Sequence, residues 1–461
     1  MAGFRGGVHP PDTKRLTRGA PITEVYLPDI VVIPLQQHLG APCEPCVRPK
    51  QTVAVGELIG KPTGRVSAPV HASVAGVVRS IDRVPHPSGR RVEAVTIEVD
   101  RDRTTYVPNP CPPGEHAGDD IAPEVILEEI GAAGIVGMGG AGFPTRIKLS
   151  PPRDKPIDTL ILNGCECEPY LTGDHRLMAE QPVLVVEGMR LMMRALGVRH
   201  GVIAVEDDKP DAVRALRAAR LPDGVTVHVL PVRYPQGAEK LLVAAVLDRI
   251  VPSGGLPLDV GVVVQNVATA AAVTRAVRCG EPLIRRVVTV TGHGVREPGN
   301  YRVPFGMLVG DLLRVAGGLS DDAGAVIFGG PMMGVAQATL DTPIIKTTSG
   351  IVVMERDAAR ASHPCLRCGR CIDVCPMGLA PAFLARAVEA GLVAHAETLG
   401  ILDCMECGSC TFMCPSGRAI VAWIRQGKAD LAAARAAQAA HVPQPVQVAS
   451  APLVPREDVV V

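Results

Sequence analysis

The chain has 461 residues, and its 47 Lys and Arg balance its 47 Asp and Glu, so the formal net charge is zero. That balance gives no electrostatic support to a nucleic-acid partner, and we expect none. The most apolar stretches, such as 258–273, are interrupted by polar residues, whereas a membrane span needs about 20 apolar residues, so we expect no transmembrane segment. The 48 Gly, the 42 Pro and the 3% aromatic content indicate several loop-rich globular domains built from small aliphatic side chains.

The first hundred residues predict an arm followed by a small β domain. Residues 1–30 are polar and rich in Pro and Gly, which is typical of an N-terminal arm. Over 31–105, short Val and Ile runs separated by Gly and Pro predict a barrel or sandwich. The stretch VSAPVHASVAGVV (66–78) resembles the barrel-sandwich fold of biotinyl and lipoyl carriers, without the carrier lysine in the matching turn. We therefore expect this domain to be a scaffold.

Four further regions follow in chain order. Strand-like and helix-like segments alternate over 121–282, which predicts an α/β domain with a largely parallel sheet. Residues 284–335 return to β-rich sequence and resemble a β-grasp, soluble-ligand-binding insert. Residues 362–428 form a cysteine-rich module. Residues 429–461 begin as an Ala-rich helical stretch, and we expect them to form a mobile C-terminal tail.

Two cysteine runs share one spacing in the C-terminal region. Both read C-x-x-C-x-x-C-x-x-x-C-P, at 365–376 and at 404–415. In two-cluster bacterial ferredoxins the fourth cysteine of such a run binds the other cluster, so we predict a helical ferredoxin-like module with crossed ligation of two [4Fe–4S] clusters. The predicted ligands are Cys365, Cys368, Cys371 and Cys414 for one cluster, and Cys404, Cys407, Cys410 and Cys375 for the other. Structural zinc is the alternative, but zinc sites usually combine two separated pairs and need no repeated Cys-Pro.

A glycine-rich loop reads GMGGAGFPTRIK at 137–148. Its glycines at 137, 139, 140 and 142 allow the backbone to approach a flat ring or a phosphate without Cβ clashes. Lys148 then supplies a positive charge, and Phe143 supplies a stacking face. The alternative is an ordinary tight turn, because a glycine loop by itself is a weak signal.

Three later segments give this loop a family context. With NGCECEPYLTGDHR (163–176), YPQGAEK (234–240) and QNVATAAAV (265–273), it resembles the flavin-binding subunit of respiratory complex I. The resemblance implies that FMN is held by Gly137, Gly139, Lys148, Asn163, Gly237, Asn266 and Thr269. Gly140 and Gly142 of the same loop are predicted to belong to the cofactor-binding site as well. The resemblance also implies that NADH stacks near Phe143, with Glu166, Glu168 and Glu239 lining its site, and it singles out Lys148 and Glu168 as catalytic.

Three positions depart from the complex I pattern. Cys165 stands in place of an aspartate, Tyr170 in place of a glycine, and Ala238 in place of a glutamate. One alternative is therefore a flavin fold that is retained without a nucleotide. Cys165 and Cys167 could form a redox-active thiol pair or serve as small polar filling, and we favour filling.

Residues 4–428 as a whole resemble the RnfC subunit of the Rnf-type ion-translocating ferredoxin–NAD oxidoreductase. The resemblance rests on FRGGVHPPDTK (4–14), VVIPLQQHLGAP (31–42), the glycine loop, the β-grasp insert and both cysteine runs. It implies an NADH-dehydrogenase, electron-input subunit that passes electrons between NAD(H), FMN and two [4Fe–4S] clusters toward ferredoxin. NADH gives two electrons and a cluster accepts one, so a flavin belongs between them.

The same resemblance implies partners and a location. The partners are a second iron–sulfur subunit of the complex, membrane subunits that move Na⁺ or H⁺, and, indirectly, ferredoxin. The location is peripheral, on the cytoplasmic side of the inner (plasma) membrane. Two alternatives stay open: a soluble flavin and iron–sulfur cobalamin reductase, and a structural iron–sulfur adaptor with an empty flavin pocket.

Overall fold

The N-terminal arm lies against the later domains instead of standing free. The computed structural model describes residues 3–107, 121–356 and 362–441. A short 3-10 helix at Lys14–Leu16 precedes strand β1 (Ile22–Glu24). β1 pairs in parallel with a strand at 299–304, far along the chain. Part of the predicted arm is therefore an edge strand of a later sheet.

The next region is a small β domain with two antiparallel sheets. Its strands are β2 (Ile30–Pro34), β3 (Cys43–Pro45), β4 (Thr52–Val53), β5 (Leu58–Pro62), β6 (Val70–His71), β7 (Gly76–Pro85) and β8 (Arg91–Val99). The sheets have the orders β2-β8-β7-β4 and β3-β5-β6. Gly and Pro keep the strands short, and their Val and Ile side chains form one core between the sheets.

Helices and strands then alternate, as the sequence predicts. The elements are α1 (Pro123–Ala132), α2 (Thr145–Lys148), β9 (Thr159–Gly164), α3 (Gly173–Glu180), α4 (Pro182–Leu196), β10 (His200–Glu206), α5 (Pro210–Ala218), β11 (Val225–Leu230), α6 (Glu239–Leu247), a 3-10 helix (Pro257–Val260), β12 (Val262–Asn266) and α7 (Val267–Cys279). The four strands are all parallel, in the order β11-β10-β9-β12. The central strand β9 is almost wholly buried, which explains its continuous apolar run.

The strand order of this sheet reverses between β9 and β12. From β9 the chain moves to β10 and β11 on one side, and then returns to place β12 on the other. Open α/β sheets bind ligands in the crevice outside the carboxyl ends of their strands at such a point. Asn163 and Asn266, at the ends of β9 and β12, are direct neighbours in the strand register. The topology therefore predicts a ligand site beside these two asparagines.

A six-stranded sheet follows. It contains β13 (Arg285–Thr291), β14 (Gly299–Pro304), β15 (Ala323–Phe328), β16 (Val335–Ala336) and β17 (Gly350–Glu355), with helix α8 (Val309–Val315). The strand order is β1-β14-β13-β17-β15-β16. The sheet thus extends past the predicted 284–335 insert and recruits β1 from the arm, because those flanking strands complete its pairing.

The regular elements of the cysteine-rich module are helices, joined by irregular segments, in the part of it that the structure describes. Its helices are α9 (Arg370–Asp373), α10 (Pro381–Glu389), α11 (Val393–Thr398), a 3-10 helix (Ile401–Asp403), α12 (Ser409–Phe412) and α13 (Ile420–His441). The tail predicted at 429–461 begins as the second half of α13, and 442–461 lie outside the described residues. Among the described helices, none is both long and apolar enough to cross a membrane.

Candidate functional site

The glycine loop closes over the carboxyl end of the parallel sheet. The Gly137 amide donates to the Phe143 carbonyl at 2.9 Å, and the Met138 amide donates to the Thr269 hydroxyl, at the start of α7, at 2.9 Å. A Cβ on Gly139 would lie 3.3 Å from the Asn266 Cβ, and Gly140 has a φ of +126°. The loop therefore needs glycine both for its close approach to Asn266 and for its backbone conformation.

Both asparagine side chains at the strand ends are held in fixed orientations. The Asn266 side-chain oxygen accepts from the Ala268 amide at 2.8 Å, which caps α7, and its amide group donates to Asp174 at 2.6 Å. The Asn163 side chain donates to the Gly237 carbonyl at 2.7 Å. The structure thus brings together Asn163, Gly237, Asn266, Thr269 and the glycine loop, as the resemblance implies.

Lys148 and Glu239 form an ion pair that bridges two segments of the site. Lys148 ends α2, directly after the glycine loop, and Glu239 begins α6. Both side chains are partly exposed. The resemblance assigns Lys148 to the flavin and Glu239 to the nicotinamide, and their contact places the two predicted sites side by side.

The other two predicted acidic residues direct their carboxylates into the protein. Glu166 accepts from the Asp174 and His175 amides, at 2.7 and 3.0 Å, and so binds the start of α3. Burial raises its pKa, and so does the nearby Asp174 carboxylate. Glu168 accepts from the Met332 amide at 3.2 Å and from the Met333 amide at 2.8 Å, both in the loop between β15 and β16.

Glu168 therefore joins the α/β domain to the six-stranded sheet. Burial raises the pKa of its carboxyl group to about 7, although the two amides that it accepts from oppose that rise. The contacts give Glu168 a positioning role between domains. Its predicted catalytic role rests on sequence resemblance alone.

Sequence reasoning missed two buried cations that organise the site. The Arg286 guanidinium, on β13, donates to the Met138 carbonyl of the glycine loop at 3.2 Å and to the Lys346 carbonyl at 2.6 Å. Burial lowers its pKa to about 10, so it keeps its charge at neutral pH. Lys14, from the arm, is buried and donates to the Glu166 carbonyl. The sequence signal for Arg286 was an arginine pair at the head of the otherwise apolar strand RRVVTVT.

The two cysteine runs adopt the same backbone conformation. Arg367 and Glu406, at equivalent positions, both have left-handed φ values, of 57° and 59°. Each donates its amide to the sulfur two residues before it, Cys365 and Cys404 respectively, at 3.4 Å. Left-handed glycines at 369 and 408 then start α9 and α12. Amides directed at cysteine sulfurs suit thiolates that bind a cluster.

The thiols also group as crossed ligation requires. Burial raises the pKa of Cys410 to about 12, and the neighbouring thiols that raise it further are Cys404, Cys407 and Cys375. Cys375, from the first run, therefore faces the second. Hydrogen bonding to Glu389 raises the pKa of Arg418, and the nearby thiols Cys365 and Cys414 add to that rise, so a thiol from each run lies near Arg418.

Structural zinc is the alternative that the sequence leaves open for these cysteines. Among the described residues, no three Cys, His, Asp or Glu side chains are grouped tightly enough to hold one ion. Structural zinc would need its sulfurs at about 2.3 Å from one centre. A cubane takes one thiolate at each iron corner, and it is the spacing of the cysteines in the sequence that assigns the two sets of four to such groups.

Comparison with known domains matches each region. Residues 2–102 match the RnfC barrel sandwich hybrid domain, and 130–275 match the Nuo51 FMN-binding domain. Residues 287–336 match the SLBB domain, and 364–418 match the 4Fe-4S dicluster domain. These matches confirm the predicted fold classes and their order, and the FMN and two-cluster assignments.

Full-length relatives agree with the domain matches. The RnfC subunit of the Na⁺-translocating ferredoxin:NAD⁺ oxidoreductase complex of Acetobacterium woodii is 45% identical, over 94% of this chain and 98% of its own length. The equivalent subunit of the proton-translocating complex of Clostridium ljungdahlii is also 45% identical, over 94% and 95%. That of the Rhodobacter capsulatus ion-translocating oxidoreductase complex is 41% identical, over 87% and 77%. The chain therefore belongs to the RnfC family, whose members are subunits of ion-translocating ferredoxin:NAD⁺ oxidoreductase complexes.

Proposed function

We propose that this chain is the electron-input subunit of such a complex and exchanges electrons between NAD(H) and ferredoxin through FMN and two [4Fe–4S] clusters. One observation carries the proposal: the segment that closes the FMN site also contacts a cluster ligand. Gly237 in that segment accepts from Asn163, and the Tyr234 hydroxyl, three residues earlier, donates to the Cys407 carbonyl at 2.6 Å. The FMN domain and the cluster module are therefore joined at the point where electrons must cross.

The residues of the FMN site have separate tasks. The glycine loop would offer its backbone to the ring system or phosphate of FMN, and Thr269, Asn266 and Arg286 fix the position of that loop. Lys148 supplies positive charge beside it, oriented by Glu239. Phe143, which is half-buried, offers its ring to the nicotinamide nucleotide. FMN, when bound, accepts a pair of electrons as hydride and releases them singly.

The cluster module holds its two groups through eight thiolates. Cys404, Cys407, Cys410 and Cys375 bind one, and Cys365, Cys368, Cys371 and Cys414 bind the other. Positive φ at Gly369 and Gly408 lets each run turn around its cluster. The Arg367 and Glu406 amides, which donate to sulfur, stabilise the reduced state.

A loading experiment tests the proposal. The purified chain, reconstituted with iron, sulfide and FMN, should show a flavin and cluster spectrum that NADH bleaches. Gly139→Val should lose FMN, because even a Cβ comes within 3.3 Å of Asn266. Gly19→Val is the matched control, since Gly19 has open space around its Cα. A chain that binds no FMN, or whose clusters NADH does not reduce, would favour the structural adaptor.

We also propose a peripheral position on the cytoplasmic side of the membrane, with an iron–sulfur subunit and membrane subunits as partners. Membership of the RnfC family supports this position. The test is fractionation: the chain should sediment with membranes and be released by a high-salt or alkaline wash. Protease added to inverted vesicles should cleave it, whereas intact cells should protect it. A chain found wholly in the soluble fraction would favour the cobalamin reductase.

A further inference from the structure

The two cysteine runs have the same backbone but opposite surroundings. Cys404 follows Cys365 by 39 positions, and the same offset relates Cys407 to Cys368. Cys407 is 8% exposed, whereas Cys368 is an exposed residue. Because the runs share their turns and their amide-to-sulfur bonds, neighbouring segments cause this difference, not the runs themselves.

The second run is covered by the electron-donating side of the protein. The Tyr234 hydroxyl binds the Cys407 carbonyl, and Met405 packs in one apolar cluster with Tyr234 and Val8. Gly408 lies under the Met332 carbonyl, which a Cβ on Gly408 would approach to 2.6 Å. The arm, the FMN-site segment and the β15–β16 loop thus all contact the run that contains Cys407.

In the first run, the Gly7 amide of the arm donates to the Val374 carbonyl at 2.9 Å, whereas the residues equivalent to the covered face are exposed in the part of the chain that the structure describes. Leu366, the counterpart of Met405, is 70% exposed, and Ile372 is 41% exposed. Arg367 and Arg370 are also exposed beside them, with Asp373 as the only acid between Cys365 and Cys375. The second run carries Glu406 at the position of Arg367, and that carboxylate binds Arg425 and Lys428 within the chain. The open face is apolar at its centre and basic at its rim.

We propose that this face, formed by Leu366, Arg367, Cys368, Arg370 and Ile372 and here termed the exit face, docks an electron-accepting protein partner. The inference rests on the proposed function. The second cysteine run receives electrons through a face that the FMN-binding domain covers. The two runs are repeats of one motif, so we expect an electron acceptor to cover the equivalent face of the first run. A partner surface complementary to the exit face is apolar at its centre and acidic at its rim.

The proposal also fixes the order of the two clusters. Electrons enter at the cluster bound by Cys404, Cys407, Cys410 and Cys375, and leave from the cluster bound by Cys365, Cys368, Cys371 and Cys414. Each transfer moves one electron: the reduced cluster at the exit face is oxidised, and a one-electron centre of the partner is reduced. No proton is required in that step.

The test uses the whole complex, purified with Leu366→Asp and Ile372→Asp in this chain. Reduction of ferricyanide by NADH and the electron paramagnetic resonance spectra of both clusters should stay unchanged. NADH-driven reduction of centres in the other subunits should fall by about tenfold or more, because a charge is introduced at the centre of an interface. Ile250→Asp is the control, since Ile250 is 83% exposed on the α/β domain, and it should leave both rates unchanged.

Two further measurements keep the inference falsifiable. Arg370→Glu, at an exposed position of the exit face, should slow transfer to the partner and reduce its dependence on ionic strength, with ferricyanide reduction intact. Unchanged downstream transfer in all three exit-face variants would overturn the proposal. So would a self-association of the isolated chain, measured by sedimentation, that Leu366→Asp abolishes, because a second copy would then cover the face. If NADH fails to reduce either cluster in the unmodified protein, the proposed function fails instead.

Discussion

The contact between Glu168 and the Met332 and Met333 amides should weaken as pH rises. Burial raises the pKa of this half-buried carboxyl from 4.5 to about 7. In the docked state Glu168 contacts the Met332 and Met333 amides, and in the open state it is exposed to water with a pKa near 4.5. Because its pKa is higher in the docked state, Glu168 stabilises docking fully below pH 4.5, and this stabilisation is lost as the pH rises through 7. A shift of this size corresponds to about 3 kcal/mol, since one pKa unit is about 1.4 kcal/mol. Glu168→Gln cannot ionise and should remove this pH dependence.

Hydrogen exchange of a peptide that covers residues 329–335 measures this effect. The protection factor of this peptide in Glu168→Gln, divided by that in the unmodified chain, should increase by up to about 100-fold from about pH 5 to about pH 8. The ratio rises because only the unmodified chain loses stabilisation as Glu168 ionises. Glu57→Gln is a matched control, because Glu57 also accepts a backbone amide, from Ala54 at 2.9 Å, but at an exposed position. It should leave the peptide's exchange unchanged. A ratio for Glu168→Gln that does not vary with pH would refute the reasoning.

Three further substitutions test individual contacts. Cys375→Ser should remove about half of the bound iron and the resonance signal of the cluster held by the second run, whereas uncrossed ligation would remove the signal of the first. Lys148→Ala breaks the partly exposed pair with Glu239, so the free energy of unfolding should change by less than about 1 kcal/mol, and only FMN retention, measured by flavin fluorescence, should fall. Tyr234→Phe leaves the Cys407 carbonyl without its donor at a cost of about 1–3 kcal/mol. It should slow cluster reduction by NADH in stopped-flow absorbance while FMN content stays constant, and an unchanged rate would contradict a coupling role.

Local sequence signals predicted the architecture well. The cysteine spacing needs only eleven residues per run to specify a cluster-binding turn, and the structure shows that turn twice. The alternation of strands and helices predicted a parallel sheet, since each helix covers a face that would otherwise stay apolar and exposed. The structure shows the glycine loop beside Asn266, whereas the prediction that both segments hold FMN came from the family resemblance and not from a local signal.

Contacts between distant segments could not be predicted from one sequence. Glu168 meets Met333 across 165 positions, and Lys14 meets Glu166 across 152. No periodicity or spacing connects such pairs, because only the packing of separate domains brings them together. The arm illustrates this: its polar composition predicted an arm or cap but not the strand and the buried lysine that it supplies.

Two of the departures from the complex I pattern have structural explanations. Tyr170 occupies the left-handed region, with φ of 73°, which favours the glycine that the complex I flavin protein has there. Its amide donates to the Asp12 carbonyl at 2.6 Å, so the arm holds this turn in place. Cys165 is fully buried, and burial raises its thiol pKa well above the ordinary value. A thiol that rarely ionises is a poor nucleophile, which supports filling as its role.

Cys167 adds a constraint that links the FMN site to the cluster module. Burial raises its thiol pKa to about 12, so it too stays protonated, and its sulfur accepts from the Gly237 amide at 3.3 Å. Gly237 is thus held from two sides, by Cys167 and by Asn163. Tyr234 lies only three positions before Gly237, and its hydroxyl donates to the Cys407 carbonyl. Any shift of the FMN-site segment must therefore move the contact with the receiving cluster, so binding at one site and electron transfer to the other depend on the same few bonds.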